Sequence, residues 1–415
     1  VTDAGTPAGP VTRSSVTRVG AATAVSALCG YAVLYLAARD LDPAGFSVFG
    51  VFWGAFGLVT GAAFGLLQQS TREIRLAARH DPTVPAPTEI TRPLRLAAAV
   101  GVTAAVVVAT TAVLWAPHVF VESRRLSVLL LAVGLACFCL HATLLGMLAG
   151  ADRWSQYGAL MVTDAGIRVV IAVATVTLGW GLEGFLWATV GGSLSWLLLL
   201  LASPATRAAA GLVARETPAS FLRGAAHAVA AAGASAVLVM GFPVLLKATS
   251  GDLGAAGGVV ILAVTLTRAP LLVPLTAMQG NLIAHFVDAR THRLRAVAQA
   301  VAVLAVIGAA GITLAALTGP WLLRVGFGEQ YRASGALLAW LTAGAVVIAV
   351  LTVTGAATVA AALHRAYSLG WVCATVAAAA LLLLPLGLET RTVVALVCGP
   401  LVGIAVHLAA LRARG

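Results

Sequence analysis

Asp252 to Phe286 reads DLGAAGGVVILAVTLTRAPLLVPLTAMQGNLIAHF, an apolar run of membrane-spanning length with one arginine, Arg268, close to its middle. An ionisable group at that depth costs about 2.5 to 3.5 kcal/mol on insertion scales, so such residues face a protein interior or a wet cavity. Pro270 and Pro274 follow within two turns. Each removes a backbone donor that neighbouring helices or water must replace, which predicts a kink near the arginine. A cation beside an irregular spanning backbone points to a binding site for something anionic.

The rest of the chain extends this reading. Of 415 residues, 60% are hydrophobic and 10% charged, and the mean hydropathy is +0.99. An ordinary soluble domain carries roughly 25% charged residues, so the composition is that of a polytopic membrane protein. The five cysteines (Cys29, Cys137, Cys139, Cys373, Cys398) all lie in apolar runs. Their odd number and scatter indicate neither a disulfide framework nor a metal cluster, and they read as small packing residues. The formal charge of +11 has no basic soluble domain to hold it, so nucleic acid is not an expected partner.

Apolar runs of about 20 residues, the length that crosses the hydrocarbon core, recur at 19–38, 46–68, 96–115, 126–148, 156–178 and 182–202. A second series follows at 224–246, 254–278, 296–317, 335–360, 368–387 and 392–411. The expected fold is therefore all-α, with about twelve transmembrane helices, preceded by a polar tail at 1–17. With the N terminus inside, 17 of the 26 basic residues fall in cytoplasmic segments and seven in outer ones. That asymmetry places both termini in the cytoplasm.

Asp40-Leu41-Asp42-Pro43-Ala44-Gly45 leads into the second run, and Asp252-Leu253-Gly254-Ala255-Ala256-Gly257 leads into the eighth. Both read D-L-x-x-A-G. The same offset sets Gln69 opposite Asn281. Six spans separate the two, so the halves share one orientation, as in transporters built from parallel repeats. The expected division is an N-lobe over 1–202, a cytoplasmic linker over 203–223 and a C-lobe over 224–415.

Two stretches carry a family resemblance: DLDPAGFSVFGVFWGAFGLVTGAAFGLLQQSTREIR at 40–75 and WLLRVGFGEQYRASGALLAWLTAGAVVIAVLTVTGAATVAAALHRA at 321–366. They resemble the polysaccharide flippases of the multidrug/oligosaccharidyl-lipid/polysaccharide exporter superfamily. In these, an L-x-x-x-x-F/Y-G pattern leads into span two and an L-x-F-G-x-x-Y-x-x-A pattern precedes span ten. Here Phe327, Gly328 and Tyr331 occupy the second pattern, with the small residue Ala333 one position before its alanine. The resemblance implies two six-helix lobes in a V, alternating access, and flipping of a polyprenyl-diphosphate-linked sugar to the outer leaflet of a bacterial plasma membrane. It further implies membrane lipids, and glycosyltransferases or a polymerase of an envelope pathway, as partners. A cation-coupled drug or metabolite exporter of the same superfamily and a non-transporting envelope scaffold are the alternatives.

The expected substrate-binding residues are Arg268, Arg168, Asp164, Gln69, Asn281, Arg18 and Arg39. Asp164 and Arg168 lie four apart and share one helix face with Tyr157 and Met161. They read either as a self-neutralising pair or as a diphosphate ligand held by an acid, since a guanidinium fork suits phosphate. Arg268 has no acid within one turn, and its bland alternative is a salt bridge to Asp164. Gln68, Gln69, Ser70, Gln279 and Asn281 sit at span ends, where sugar hydroxyls or interfacial water need partners. Arg72, Arg75 and Arg79 read as a basic helix end facing anionic headgroups, and Arg18 and Arg39 flank the first span. His141 and His407 are titratable but read first as hydrogen-bonded helix residues. No G-x-x-x-x-G-K-[ST], H-E-x-x-H or G-x-S-x-G pattern occurs, so neither catalysis nor a cofactor or metal is expected.

Overall fold

The computed structural model describes residues 13–78, 90–289 and 292–413, with side chains left out at 13–17, 277, 280, 281 and 284. Arg79 and Arg414 lie outside the described residues, as do the side chains of Arg13 and Asn281. Among the described residues the chain is helical, and its one extended pairing is an isolated antiparallel bridge between Thr91 and Ala214. Twelve helices among the described residues are long and apolar enough to cross a membrane.

Spans 1 to 6 are Arg13–Asp40, Pro43–Ala78, Pro93–Val119, Arg124–Gly150, Trp154–Leu178 and Gly181–Ala202. Spans 7 to 12 are Pro218–Val239, Gly254–Ala277, Arg293–Phe327, Gly335–Ala360, His364–Leu382 and Leu388–Arg412. Spans 2 and 9 run to 36 and 35 residues. At 1.5 Å per residue each is over 50 Å long, well beyond the roughly 30 Å hydrocarbon core. Span 6 is interrupted by a 3-10 turn at Gly192–Leu194. The expected seventh run at 224–246 is also broken, at Met240–Gly241, and resumes as a short helix, Phe242–Ser250.

The duplication reappears in the burial of the spans. Span 4 is buried over 67% of its core and span 10 over 56%, whereas spans 3 and 9 are buried over only 11% and 6%. Equivalent helices six spans apart are therefore the centre and the periphery of their bundles. Val113 and Leu114 on span 3, and Val306 and Leu317 on span 9, are exposed as lipid-facing side chains should be. The two lead-ins share one contact as well: Gly45 lies over Leu41, and Gly257 lies over Leu253. Their capping acids differ, since Asp42 accepts the Gly45 N–H at 2.7 Å whereas Asp252, the counterpart of Asp40, accepts the Gly254 N–H at 3.2 Å.

The chain forms two compact units, Val1–Leu36 with Ala55–Gly233 and Ala37–Gly54 with Ala234–Gly415. Their boundary thus runs through spans 1, 2 and 7, and 203–223 lies within the first unit. That segment holds the helix Pro204–Ala210, with Thr206 N–H donating to Ser203 Oγ, and buries Thr206, Ala209 and Ala214. The core of the first unit gathers Leu66, Leu135, Phe138, Phe221 and Ala225. Span 4 reaches span 2 there because Gly146 has no side chain; a Cβ would meet Ser70 Cβ at 2.9 Å and Leu67 Cα at 3.0 Å. Small residues at crossings let bilayer helices approach closely, since apolar burial alone gains little in lipid.

In the second unit, Phe286, Ala349, Val353 and Ala357 form a core where span 10 meets the segment after span 8. The N-terminal part of span 2 joins this unit because Gly50 and Gly54 seat Ile261 and Pro243; Cβ atoms there would lie 2.7 and 3.0 Å from those side chains. Tyr331, of the motif before span 10, is fully buried, with its ring edge-on to Phe46 and Phe327. Its hydroxyl has no hydrogen-bond partner among the described residues. Burial, and then the charge of Asp42, push this phenol above its usual 10.0. The folded state therefore keeps a proton that the unfolded chain gives up, and stability falls as pH rises above that value. Tyr331→Phe is expected to raise the melting temperature by a few degrees at pH 7, because an unpaired buried hydroxyl costs about 1 to 3 kcal/mol. It should also lessen the loss of stability at alkaline pH, as read by thermal unfolding in detergent.

Candidate functional site: two arginines at helix breaks

Arg268 lies in the second unit, on span 8. The helix continues through Pro270 and Pro274 to Ala277. The interruption falls at Met278, whose N–H donates to Pro274 O at 3.0 Å, and a second helix, Gln279–Asp288, follows. The backbone stays helical past the arginine, and the irregularity that concerns Arg268 belongs to the neighbouring helix.

Span 7 ends at Val239, where Met240 and Gly241 both donate to Ala236 O. Four residues beyond Val239 stands Pro243, which has no N–H to continue the helical ladder. Arg268 supplies donors here: its Nη1 gives hydrogen bonds to Val239 O at 3.1 Å and Leu238 O at 3.4 Å. A cation at the C-terminal end of a helix also opposes the partial negative charge there. The guanidinium carbon sits 5.1 Å from the centre of the Phe242 ring. The residue is 7% exposed, and its Nε and Nη2 have no hydrogen-bond partner among the described residues.

Arg168, in the first unit on span 5, has the same surroundings with one difference. Its Nη1 donates to Thr189 O, just before the 3-10 turn of span 6. Its guanidinium lies 5.4 Å from the Phe56 ring. Its Nε and Nη2, however, grip Asp164, at 3.1 Å to Oδ2 and 3.0 Å to Oδ1. Gly192 makes room for the pair, since a Cβ there would lie 2.5 Å from Asp164 Oδ1 and 2.6 Å from Arg168 Nε. Every nitrogen of Arg168 is thus engaged. The pair is self-neutralising, and Asp164 is the partner of Arg168.

The remaining candidates separate. Gln69 is buried in the first unit, its Nε2 directed at Glu73 Oε1 (3.2 Å) and Glu216 Oε1 (3.4 Å). Its carboxamide lies against Gly224, where a Cβ would meet Nε2 at 2.5 Å. Arg72 pairs with Glu73 at 3.3 Å, and Arg75 with Asp152 at 2.8 Å. Arg18 donates to Ser155 Oγ at 3.0 Å, tying span 1 to the start of span 5. Arg39 is exposed beside Gly328. Asn281 lies on the helix after Met278, with its side chain outside the description. His141 bonds Ser195 Oγ through Nδ1, and His407 bonds Thr354 and Tyr367 O through its two nitrogens. No group of three metal-ligating side chains occurs among the described residues.

Sequence reading missed Phe242, Pro243 and Val239, although Gly241-Phe242-Pro243 inside an apolar run is a visible breaker signal. It passed over Glu73 and Glu216 because nothing in the spacing joins residues 143 positions apart.

No family model matches the chain. Among solved structures, the inward-facing conformation of a multidrug resistance MATE family transporter of the MOP superfamily aligns over 96% of this chain and 98% of that one. The TM-score is 0.74 and the identity 17%. An outward-facing conformation of such a transporter aligns over 96% and 95%, with TM-score 0.61 and 15% identity. The fold is that of the MATE transporters of the MOP superfamily, in a multi-pass membrane protein. In sequence, "Uncharacterized protein Mb3654" of Mycobacterium bovis is 67% identical over 411 residues, spanning 99% of this chain and 95% of that protein. "Uncharacterized protein Rv1510" of Mycobacterium tuberculosis is 63% identical over 414 residues, spanning 98% and 94%. The chain belongs to the family of mycobacterial proteins that these two represent.

Proposed function

We propose that the protein is an alternating-access transporter that flips an anionic, polyprenyl-diphosphate-linked sugar from the cytoplasmic to the outer leaflet of the plasma membrane. The observation that carries this reading is the buried, unpartnered Nε–Nη2 edge of Arg268. In Arg168 the same edge holds a carboxylate in bidentate fashion, the geometry that a guanidinium also uses for phosphate. Buried charges are costly without a counter-charge, so Arg268 calls for an acceptor that the described residues do not supply. An exporter of organic cations needs the opposite arrangement, an acid left for its substrate, and Asp164 is already neutralised. The flipped lipid would pass to glycosyltransferases or a polymerase at the outer face.

The test is reconstitution of purified protein in vesicles with a fluorescent polyprenyl-diphosphate sugar, and measurement of its exposure to an impermeant reagent. Transfer above that of protein-free vesicles is expected; transfer of organic cations with none of the glycolipid would reject the reading. The asymmetry of basic residues between the loops supports both termini in the cytoplasm. In a cysteine-free background, Glu329→Cys and Asp252→Cys should react with an impermeant thiol reagent on intact cells, whereas Ala208→Cys and Asp288→Cys should not. All four positions are solvent-exposed, so the reverse pattern inverts the orientation.

A further inference from the structure

Arg268 joins two roles in one rigid group. Through Nη1 it gives Val239 O the donor that Pro243 cannot provide, and it lies on Phe242, the first residue of the resumed helix. Through Nε and Nη2 it presents an unpartnered fork on the opposite edge of the same plane. A guanidinium is planar and delocalised, so fixing one edge fixes the direction of the other. Phe242–Ser250 is anchored elsewhere by local bonds, with Val244 and Leu245 N–H donating to Gly241 O. Arg268 supplies cross-helix hydrogen bonds at the break itself, to Leu238 O and Val239 O.

We propose that the break at Met240–Pro243 is the positioning element for an anion site at Arg268, and that anion binding and closure of the break are energetically coupled. The inference rests on the anionic reading of Arg268 given above. The carbonyls of Leu238 and Val239 hold the guanidinium in the orientation that a diphosphate grips. By reciprocity, a diphosphate on the fork holds Arg268 against those carbonyls and orders Phe242–Ser250. Pro243 is therefore a specificity device that touches no ligand. Its missing N–H leaves Val239 O open to Arg268, whereas a residue with an N–H at 243 would compete for that carbonyl and release the arginine.

The experiment compares wild type, Pro243→Ala and Arg268→Ala in neutral detergent, titrated with farnesyl diphosphate, inorganic pyrophosphate and farnesol. Binding is read by calorimetry, and ordering of 242–250 by amide hydrogen exchange. Wild type should bind farnesyl diphosphate and gain protection at Val244 and Leu245, and farnesol should do neither. Pro243→Ala should keep a folded, monodisperse protein and yet bind farnesyl diphosphate at least fivefold more weakly, the lower end of typical coupling, with no gain in protection. Wild-type affinity and protection in Pro243→Ala, together with loss of binding in Arg268→Ala, would overturn the coupling and leave the anion site standing. Undiminished binding by Arg268→Ala would overturn the anion site and the coupling together. Pyrophosphate binding as tightly as farnesyl diphosphate would identify a free-phosphate site and overturn the lipid source.

Discussion

Arg268→Ala is expected to reach the membrane at near wild-type abundance and to lose glycolipid flipping by roughly ten- to hundredfold, the range set by a charge-assisted contact of about 1.5 to 3 kcal/mol. Folding should survive because the substitution deletes an uncompensated cation and strands no acid. The hydrogen bonds of Arg268 among the described residues go to two neutral carbonyls. Those carbonyls lose a donor, but water is a possible substitute at a helix break. Arg268→Lys keeps the charge and loses the fork, so it should recover only part of the activity. The measurement is initial flipping rate against membrane abundance for the three proteins. A well-folded Arg268→Ala protein that flips at the wild-type rate would remove the arginine from the site.

Asp164→Ala is expected to act in the opposite way, through stability. It leaves the guanidinium of Arg168 buried with its Nε and Nη2 unpaired, and breaking one partner of a buried ion pair costs about 3 to 5 kcal/mol. The pair is largely shielded, with side chains 13% and 18% exposed, so most of that cost should be felt. Asp164→Asn combined with Arg168→Gln should restore the folded protein, since the two amides are able to bond each other across the same helical turn. Membrane abundance and thermal stability of the single and double variants decide the matter. If the double variant folds and flips at the wild-type rate, Asp164 and Arg168 are structural. If it folds and fails to flip, they belong to the transport site.

The two arginines show where sequence reading holds and where it stops. The Asp164–Arg168 pair was legible because i and i+4 side chains meet on any helix, whatever surrounds it. The role of Arg268 was not. Its expected alternative was a salt bridge to Asp164, and the proline effect was placed on its own helix. In the structure that helix continues past both prolines, and the carbonyl that Arg268 bonds belongs to Val239, four residues before Pro243 on the neighbouring helix. Proline chemistry is readable locally, but which side chain replaces the lost donor depends on which helix lies alongside. The same holds for Gln69, expected at a mouth lined for sugar hydroxyls and found buried against Glu73 and Glu216.

By itself the sequence determined the all-α class, the number of spans, ten of them as uninterrupted helices, and the six-span repeat. Membrane thickness fixes the length of an apolar run, and every backbone donor in lipid must be satisfied within the helix. These are local constraints that each segment obeys alone. Only the tertiary structure decided that spans 4 and 10 are among the most buried, and that the N-terminal part of span 2 joins Ala234–Gly415. It also decided that one arginine is neutralised while the other keeps a buried edge unpaired among the described residues. Lipid is as apolar as the helices it surrounds, so hydrophobicity does not choose their neighbours; close contacts at glycines and the pairing of a few buried polar groups do.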